Sequence, residues 1–291
     1  MLRSALRRIT AALLVVCLVP LGSALAETMP VEALAQHTHI HGLAVDRQAP
    51  DHLLIATHHG IFRADLEGRA TRISAVKDFM GFSAHPTEPR TYFGSGHPAE
   101  GGNLGFIVSM DGGETWTQRS PGANGPVDFH QLAVSPVDPD IVYGAYGALQ
   151  RSVDGGQKWS VVGPLPSDLI SLAASAVDAD TLYAGTRMGL QRSEDGGMTW
   201  SPVLGGAPVS LVNVASDARI FAFIPGQGLA VAQEADLHFA LLAAKWGNEV
   251  LLHLAIDPEN ADRMFAASHL GNVFRSIDGG ATWEPVRGSP R

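Results

Sequence analysis

From about residue 40 onward the chain alternates short apolar runs with turns rich in glycine, aspartate and proline. Leu53–Ala56 and Leu132–Val134 are such runs, and each is bounded by polar turn residues. Apolar runs of three to five residues between turn signals predict β-strands, because a helix needs a longer amphipathic stretch. We therefore expect an all-β fold.

One pattern recurs along these runs: Ser-x-Asp-Gly-Gly-x-(Thr/Lys)-Trp, at Ser109, Ser152, Ser193 and Ser276. Asp-Gly-Gly between two strands is the chemistry of a hairpin turn, in which glycine takes positive φ and the carboxylate accepts turn amides. The motif aspartates are separated by 43, 41 and 83 residues; they are Asp111, Asp154, Asp195 and Asp278. A repeat of about 41 residues made of strands is typical of a β-propeller, and the last gap holds one degenerate copy.

Alignment of the runs gives six units of four strands, which predicts a six-bladed propeller of four-stranded blades. In the fifth unit Glu234 replaces the motif aspartate and Phe239 replaces the tryptophan. A seven-bladed ring is the alternative if Thr28 to Gln36 contributes strands. The Asp-Gly-Gly motif is that of the Asp box, or BNR repeat, and the chain resembles that family, which includes sialidases, sortilin-like ectodomains and bacterial exported proteins named glycosyl hydrolases.

The resemblance implies a structural role for the four motif aspartates and makes glycoside hydrolysis an activity to consider. A sialidase is not expected. Sialidases of this fold use three arginines and a tyrosine nucleophile, whereas Arg187 is the one arginine we place in a suitable turn. Tyr92, Tyr143 and Tyr183 fall at equivalent strand positions, which indicates packing.

Residues 1–26 read as a secretory signal peptide, with three arginines, an apolar run and Ala24-Leu25-Ala26 as the cleavage site. We expect cleavage after Ala26, no membrane anchor in the mature chain, and one propeller domain over residues 27–291 in the periplasm or outside the cell. The mature chain has no cysteine. It has 17 basic and 29 acidic residues, a net charge of −12 that argues against nucleic-acid partners.

Histidines concentrate on one face of the predicted ring, which we call the top: the face carrying the turn from second to third strand in each blade and the connection between blades. Eight of the twelve histidines belong there, and seven of them come from the first three units. His37, His39 and His41 alternate with period two, so an extended segment would project all three imidazoles to one side. Imidazole and carboxylate together are ligand chemistry for zinc or copper.

We therefore predict a transition-metal site, for zinc or copper, at the top face. Met80 and Met188 are possible soft ligands for copper. The candidate ligands are the imidazoles and carboxylates that the register brings to this rim, namely His39, His41, His58, His59, His130, Asp78 and Asp128.

Two functions remain open at this point. The first is a binding protein that holds a metal or presents this face to a carbohydrate or protein partner. The second is a glycoside hydrolase other than a sialidase, which needs two carboxylates facing one pocket, and Asp78 and Asp128 are the candidates. Instead of binding metal, individual histidines could be packed near the channel or lie at the surface. Trp246 could stack on a sugar or a partner at the top face, or be buried against the next blade.

Overall fold

The computed structural model describes residues 26–75, 77–98 and 100–287. It confirms a six-bladed β-propeller, in which six antiparallel sheets stand around a central axis. The predicted leader lies outside the described residues, apart from Ala26. Among the described residues no helix has the length and apolar character needed to cross a membrane.

Blades 1 to 3 follow a short N-terminal strand and helix, and their strands run in chain order from the axis outward. The elements are β1 (Thr28–Pro30), α1 (Val31–His37), β2 (Ile40–Val45), β3 (His52–Thr57), β4 (Gly60–Asp65), β5 (Arg69–Arg72), β6 (Asp78–Ala84), β7 (Tyr92–His97), β8 (Phe106–Ser109), β9 (Thr117–Ser120), β10 (Gln131–Val134), β11 (Val142–Tyr146), β12 (Ala148–Ser152) and β13 (Ser160–Gly163).

Blades 4 to 6 repeat the same four-stranded plan. Their strands are β14 (Leu169–Ala174), β15 (Leu182–Thr186), β16 (Gly189–Ser193), β17 (Ser201–Gly205), β18 (Leu211–Val214), β19 (Arg219–Ile224), β20 (Gly228–Gln233), β21 (Ala240–Ala243), β22 (Leu251–Asp257), β23 (Asn260–Ser268), β24 (Val273–Ser276) and β25 (Glu284–Pro285).

The Asp-Gly-Gly turns connect the third and fourth strands of blades 2, 3, 4 and 6, and they share one hydrogen-bond pattern. In blade 4 the Ser193 hydroxyl donates to Asp195 Oδ1 at 2.8 Å and accepts the Gly197 amide at 2.8 Å. Asp195 also accepts the Thr199 amide and hydroxyl at 2.9 and 2.5 Å. Gly196 and Gly197 have φ of 70° and 92°, which glycine adopts at little cost.

The core is divided into six clusters, one at each interface between neighbouring blades. Each cluster contains a residue from one equivalent repeat position of an innermost strand. These six residues are Leu43, Phe82, Leu132, Leu172, Val212 and Leu254. Inward burial of one apolar residue per blade explains why the repeated strand pattern specifies a ring. Tyr92, Tyr143 and Tyr183 are buried, in agreement with the packing role expected for them.

The N-terminal segment does not form a seventh blade. Instead, β1 pairs with β5 and becomes a fifth, outermost strand of blade 1. The helix α1 then places Val31 and Leu34 in the core cluster that joins blade 1 to Phe265 of blade 6. Gly271 of blade 6 lies so close to α1 that an added Cβ would come within 2.4 Å of Ala35. The ring therefore closes through side-chain packing and a helix.

A central channel runs along the axis and encloses a cavity of about 450 Å³. Residues from all six innermost strands line it, including His41 and His130 at the top, while Arg47 and His85 lie at the other end. Two of the histidines predicted for the top face, His41 and His130, thus lie at one mouth of this channel.

Candidate metal centre

Three segments meet at the top of blades 1 and 2. His39 precedes β2 and His41 lies in it, His58 lies in the two-residue turn between β3 and β4, and Asp78 begins β6. The strand positions follow from the repeat, since equivalent residues of successive innermost strands reach the same height in the ring. Separate stretches of sequence therefore contribute to one rim.

His41, His58 and Asp78 form a triad whose ligand atoms all lie within 4.8 Å of one another. The Nε2 atoms of His41 and His58 are 3.0 Å apart, and His58 Nδ1 is 2.7 Å from Asp78 Oδ1. His58 therefore connects a carboxylate on one side with a second imidazole on the other.

The triad has the hydrogen-bond arrangement that orients a metal-binding histidine. A carboxylate accepts, so His58 Nδ1 carries a proton and its Nε2 has a lone pair directed toward His41. Two nitrogens bound tetrahedrally to zinc at about 2.0–2.1 Å are about 3.3 Å apart. The two rings need to separate by only a few tenths of an ångström to accept the ion.

His39 lies beside the triad and is exposed. Its ring centroid is 5.4 Å from that of His58 and 6.5 Å from that of His41, in edge-to-face orientations. The structure thus brings His39 next to the triad but not into its set of mutually close ligand atoms. The imidazole is within reach as a further ligand from the solvent side.

Burial lowers the pKa of His41 to about 4, with further lowering from His58 and His253 and an opposing contribution from Asp78. His41 is therefore neutral at neutral pH, which is the protonation state required of a metal ligand. His253, in β22, has a pKa lowered to about 4 by burial. Its Nε2–H donates to the carbonyl of Ile40 at 3.0 Å, next to His41.

A second group lies at the same mouth on blades 2 and 3. Asp128 Oδ2 is 2.7 Å from His130 Nε2 and 2.9 Å from His97 Nε2. The hydrogen bond that His130 donates to Asp128 raises the pKa of His130 against the lowering effect of burial, and the charges of Asp128 and Asp78 raise it further. Asp78 and His97 are paired across β6 and β7, so the two groups are neighbours.

The structure divides the predicted ligand set. Asp128 and His130 join each other and His97 instead of the triad, and His59 has an exposed side chain with no bond to the other candidates among the described residues. His97 also lies on this face, and nothing in its spacing indicates the contact with Asp128. His253 lies within β22, and its proximity to His41 could have been inferred only from ring closure.

The two carboxylates proposed for a glycoside hydrolase are both engaged by imidazoles. Asp128 is 4% exposed and Asp78 is 28% exposed. Hydrolysis of a glycosidic bond needs an acid and a base or nucleophile that both face the sugar. The burial of Asp128 does not suit it to that task.

Trp246 is packed and does not present a stacking surface. Its ring lies 5.5–5.6 Å from those of Phe223, Phe274 and Trp283, and its Nε1–H donates to the carbonyl of Ala243. The alternative that Trp246 is buried against its neighbours is therefore confirmed.

No protein-family model and no curated protein matches the sequence. The structure resembles a GH74 enzyme from Niastella koreensis, with a TM-score of 0.59 and 16% identity over 86% of this chain and 45% of that one. It also resembles the GH74 xyloglucanase from Xanthomonas campestris, with a TM-score of 0.58 and 18% identity over 89% and 46% of the two chains. The chain spans about half the length of these two enzymes.

YCF48 bound to D1 peptide is similar over most of both chains, with a TM-score of 0.54 and 16% identity over 89% of this chain and 85% of that one. Identities this low show a shared β-propeller fold. The function has to be argued from the side chains at the channel mouth.

Proposed function

We propose that this protein is an exported propeller of the Asp-box type that binds a transition-metal ion at the top of its channel. His41 and His58 supply the ligands through Nε2, Asp78 orients His58, and His39 approaches from the solvent side. The proposal is carried by one observation, the triad of imidazole and carboxylate atoms within 4.8 Å.

The donor set favours zinc or copper(II) over calcium or magnesium. Imidazole nitrogen suits zinc and copper, whereas calcium and magnesium take mainly oxygen ligands. The open side of the triad leaves room for water or for a group of a partner. A metal-binding protein that offers its site to a carbohydrate or peptide at this face fits both features.

Metal titration of the purified protein tests the proposal. After treatment with a chelator, zinc and copper(II) are added, and bound metal is measured by mass spectrometry and calorimetry. We expect His41→Ala/His58→Ala to lose binding at the triad. Asp78→Asn should weaken binding about 10- to 100-fold, because His58 loses its orienting carboxylate.

His238→Ala is the matched control, because His238 is exposed and lies beside the degenerate turn of blade 5 on the opposite face. This variant should bind metal as the wild type does. A wild-type protein that binds neither ion, or a double variant with unchanged binding, would contradict the proposed function.

Glycoside hydrolysis is the second candidate, and the fold shared with GH74 enzymes is the observation in its favour. Screening of the wild type and of Asp78→Asn against β-glucan and xyloglucan oligosaccharides tests it. Hydrolysis that disappears in Asp78→Asn would support this candidate. Absence of products from every substrate would leave it without support.

Export rests on the leader pattern of residues 1–26 and on a propeller that begins directly after it, with Thr28 paired in β1. We propose cleavage after Ala26. Mass spectrometry of the protein secreted by an expressing cell should give a mature chain that begins at Glu27.

A further inference from the structure

His130 and Asp128 form a hydrogen-bonded pair beside the candidate metal centre. The side chain of His130 is 58% exposed, and the residue lines the channel cavity together with His41. The side chain of Asp128 is only 4% exposed, and its Oδ2 lies 2.7 Å from His130 Nε2. An accessible imidazole held by a buried carboxylate is the arrangement of a general base and the group that orients it.

The hydrogen bond fixes the tautomer of His130. The carboxylate of Asp128 accepts, so His130 Nε2 carries the proton and Nδ1 of the neutral ring has a lone pair. Among the residues that the structure describes, Nδ1 of His130 has no hydrogen-bond partner. This nitrogen is therefore free to take a proton from a molecule at the mouth of the channel.

The surroundings of Asp128 favour a positive charge on His130. Asp128 Oδ1 is buried and has no hydrogen-bond partner in the described part of the chain, and His97 Nε2 lies 2.9 Å from Oδ2. A poorly solvated carboxylate is stabilised when the imidazole bonded to it becomes an imidazolium. In agreement, the hydrogen bond to Asp128 raises the pKa of His130. The pair can thus accept a proton at Nδ1 and stabilise the resulting charge.

This pair and the metal triad share one cavity. His41 of the triad and His130 line the same space of about 450 Å³, which has room for a small molecule. Asp78 of the triad pairs through its backbone with His97, whose imidazole contacts Asp128. A small molecule bound at the triad would therefore lie close to the imidazole of His130.

We propose that His130, oriented by Asp128, is the general acid–base residue in the hydrolysis of small neutral carboxylic esters at the channel mouth. This rests on the proposed function, since a metal ion at the triad supplies the Lewis acid that polarises the ester carbonyl. His130 Nδ1 removes a proton from water as the water oxygen bonds to the carbonyl carbon. The ester C–O bond then breaks, and the proton passes from Nδ1 to the departing alkoxide, which gives a carboxylic acid and an alcohol.

The charges at the mouth favour a neutral substrate. The carboxylates of Asp78 and Asp128 offset the two positive charges of a divalent ion, and the whole chain has a formal net charge of −9. A phosphodiester would bring a further negative charge to this mouth, whereas a carboxylic ester brings none. We therefore expect esters of carboxylic acids and not phosphodiesters.

Hydrolysis by the zinc-loaded protein tests the proposal, with p-nitrophenyl butyrate and ethyl butyrate as neutral esters and bis(p-nitrophenyl) phosphate as the anionic comparison. We expect both esters to be cleaved faster than the phosphodiester. His130→Gln should lower kcat about 10²- to 10⁴-fold, the usual contribution of a general base. Asp128→Asn should also lower kcat, and KM should change little in either variant. Thermal unfolding without metal checks that both variants fold.

His269→Gln is the matched control for a surface histidine. His269 is exposed in the turn between β23 and β24 of blade 6, also at the top face, and its Nδ1 accepts the amide of Val250. Among the described residues it has no carboxylate partner. This variant should cleave the esters at the wild-type rate.

Two further measurements separate orientation of His130 by Asp128 from a purely structural role. The wild-type rate should rise with pH through a pKa above 6.5, because only neutral His130 can accept a proton, and this rise should move to lower pH in Asp128→Asn. Nitrogen-15 NMR of the metal-free protein should show the His130 proton on Nε2 in the wild type and a mixture of tautomers in Asp128→Asn.

The outcomes distinguish this inference from the proposed function. Zinc binding without ester hydrolysis, or hydrolysis by His130→Gln at the wild-type rate, would overturn the inference and leave the proposed function intact. A His130 proton on Nδ1 would rule out the general-base role, and faster cleavage of the phosphodiester would contradict the substrate class. A wild-type protein that binds no zinc would remove the proposed function, and this inference with it.

Discussion

His253 acts on the candidate metal centre without being one of its three mutually close groups. Its imidazole extends from blade 6 and donates to the backbone of Ile40, the residue before His41. It also contributes to keeping His41 neutral. Blade 6 thereby fixes the backbone of blade 1 next to His41, a candidate metal ligand.

Replacement of His253 by glutamine should make the protein less sensitive to mild acid. The folded pKa of about 4 is below the ordinary value of 6.5, so its contribution to stability is complete above pH 6.5 and is lost as pH falls toward 4. Glutamine keeps a donor for Ile40 but does not titrate. Urea unfolding midpoints at pH 7.5, 6 and 5 measure the effect.

We expect the midpoint of the wild type to fall more steeply with acid than that of His253→Gln. His41, also lowered to about 4, should leave a residual slope in the variant. Identical pH profiles for the two proteins would show that His253 is not held neutral in the fold.

For single residues, the sequence predicted which face of the ring a side chain lies on better than it predicted which side chains it contacts. The alternation of His37, His39 and His41 indicated three imidazoles on one side, but α1 extends through His37 and strand geometry starts at Ile40. In the turn His58-His59 only one of two adjacent side chains can face the channel. Which of them does so depends on the turn conformation, which the residue types do not determine.

The Asp-Gly-Gly turn is the element whose chemistry the sequence predicted most completely. All four copies show a serine hydroxyl donating to the motif aspartate at 2.8–2.9 Å. The degenerate copy in blade 5 differs. Glu234 is buried and accepts the amide of Ala176 from blade 4, so it links two blades instead of stabilising its own turn. Alignment of Glu234 with the motif aspartates could not show that its carboxylate binds a neighbouring blade.

The turn aspartates should make the propeller sensitive to strong acid. Hydrogen bonds from Thr199 and Ser193 lower the pKa of Asp195 to about 2 from 3.8, and Asp278 is lowered to about 2 in the same way. Their contribution to stability is complete above about pH 4 and is lost as pH falls through 2. Asp195→Asn should reduce the loss of thermal stability between pH 4 and 2.

Calorimetric unfolding across this range provides the measurement. Asp51→Asn serves as the control, since Asp51 is exposed and its carboxylate accepts no hydrogen bond among the described residues. An Asp195→Asn profile that parallels that of the control would contradict the assigned role of the turn.

For the whole molecule, the repeat predicted six blades but not how the first and last blades meet. Blade 6 is completed by its own strand β25, and no strand within residues 26–75, 77–98 and 100–287 crosses from it to blade 1. The junction instead depends on Val31 and Leu34, which belong to no repeat. Val31 and Leu34 have no equivalent residues in the other repeats, so alignment of the repeats could not predict where they lie.

Leu34→Ala should destabilise the ring at this junction by about 2–5 kcal/mol, the usual cost of truncating a fully buried leucine. Gln36→Ala, on the exposed side of the same helix, should change the free energy of unfolding by less than about 0.5 kcal/mol. Urea denaturation of both variants measures the difference. Equal stabilities would show that α1 does not hold the ring closed.

The chain order of the proposed metal-binding residues has a consequence for biogenesis. All the proposed donors lie between His39 and Asp78, whereas the strands of blades 4 to 6 follow later in the chain. A nascent polypeptide appears from its N-terminus, so these donors become available while half of the ring is still missing. Ion capture can therefore precede completion of the channel, and the metal supply during synthesis, not only afterwards, would determine how much protein matures fully loaded.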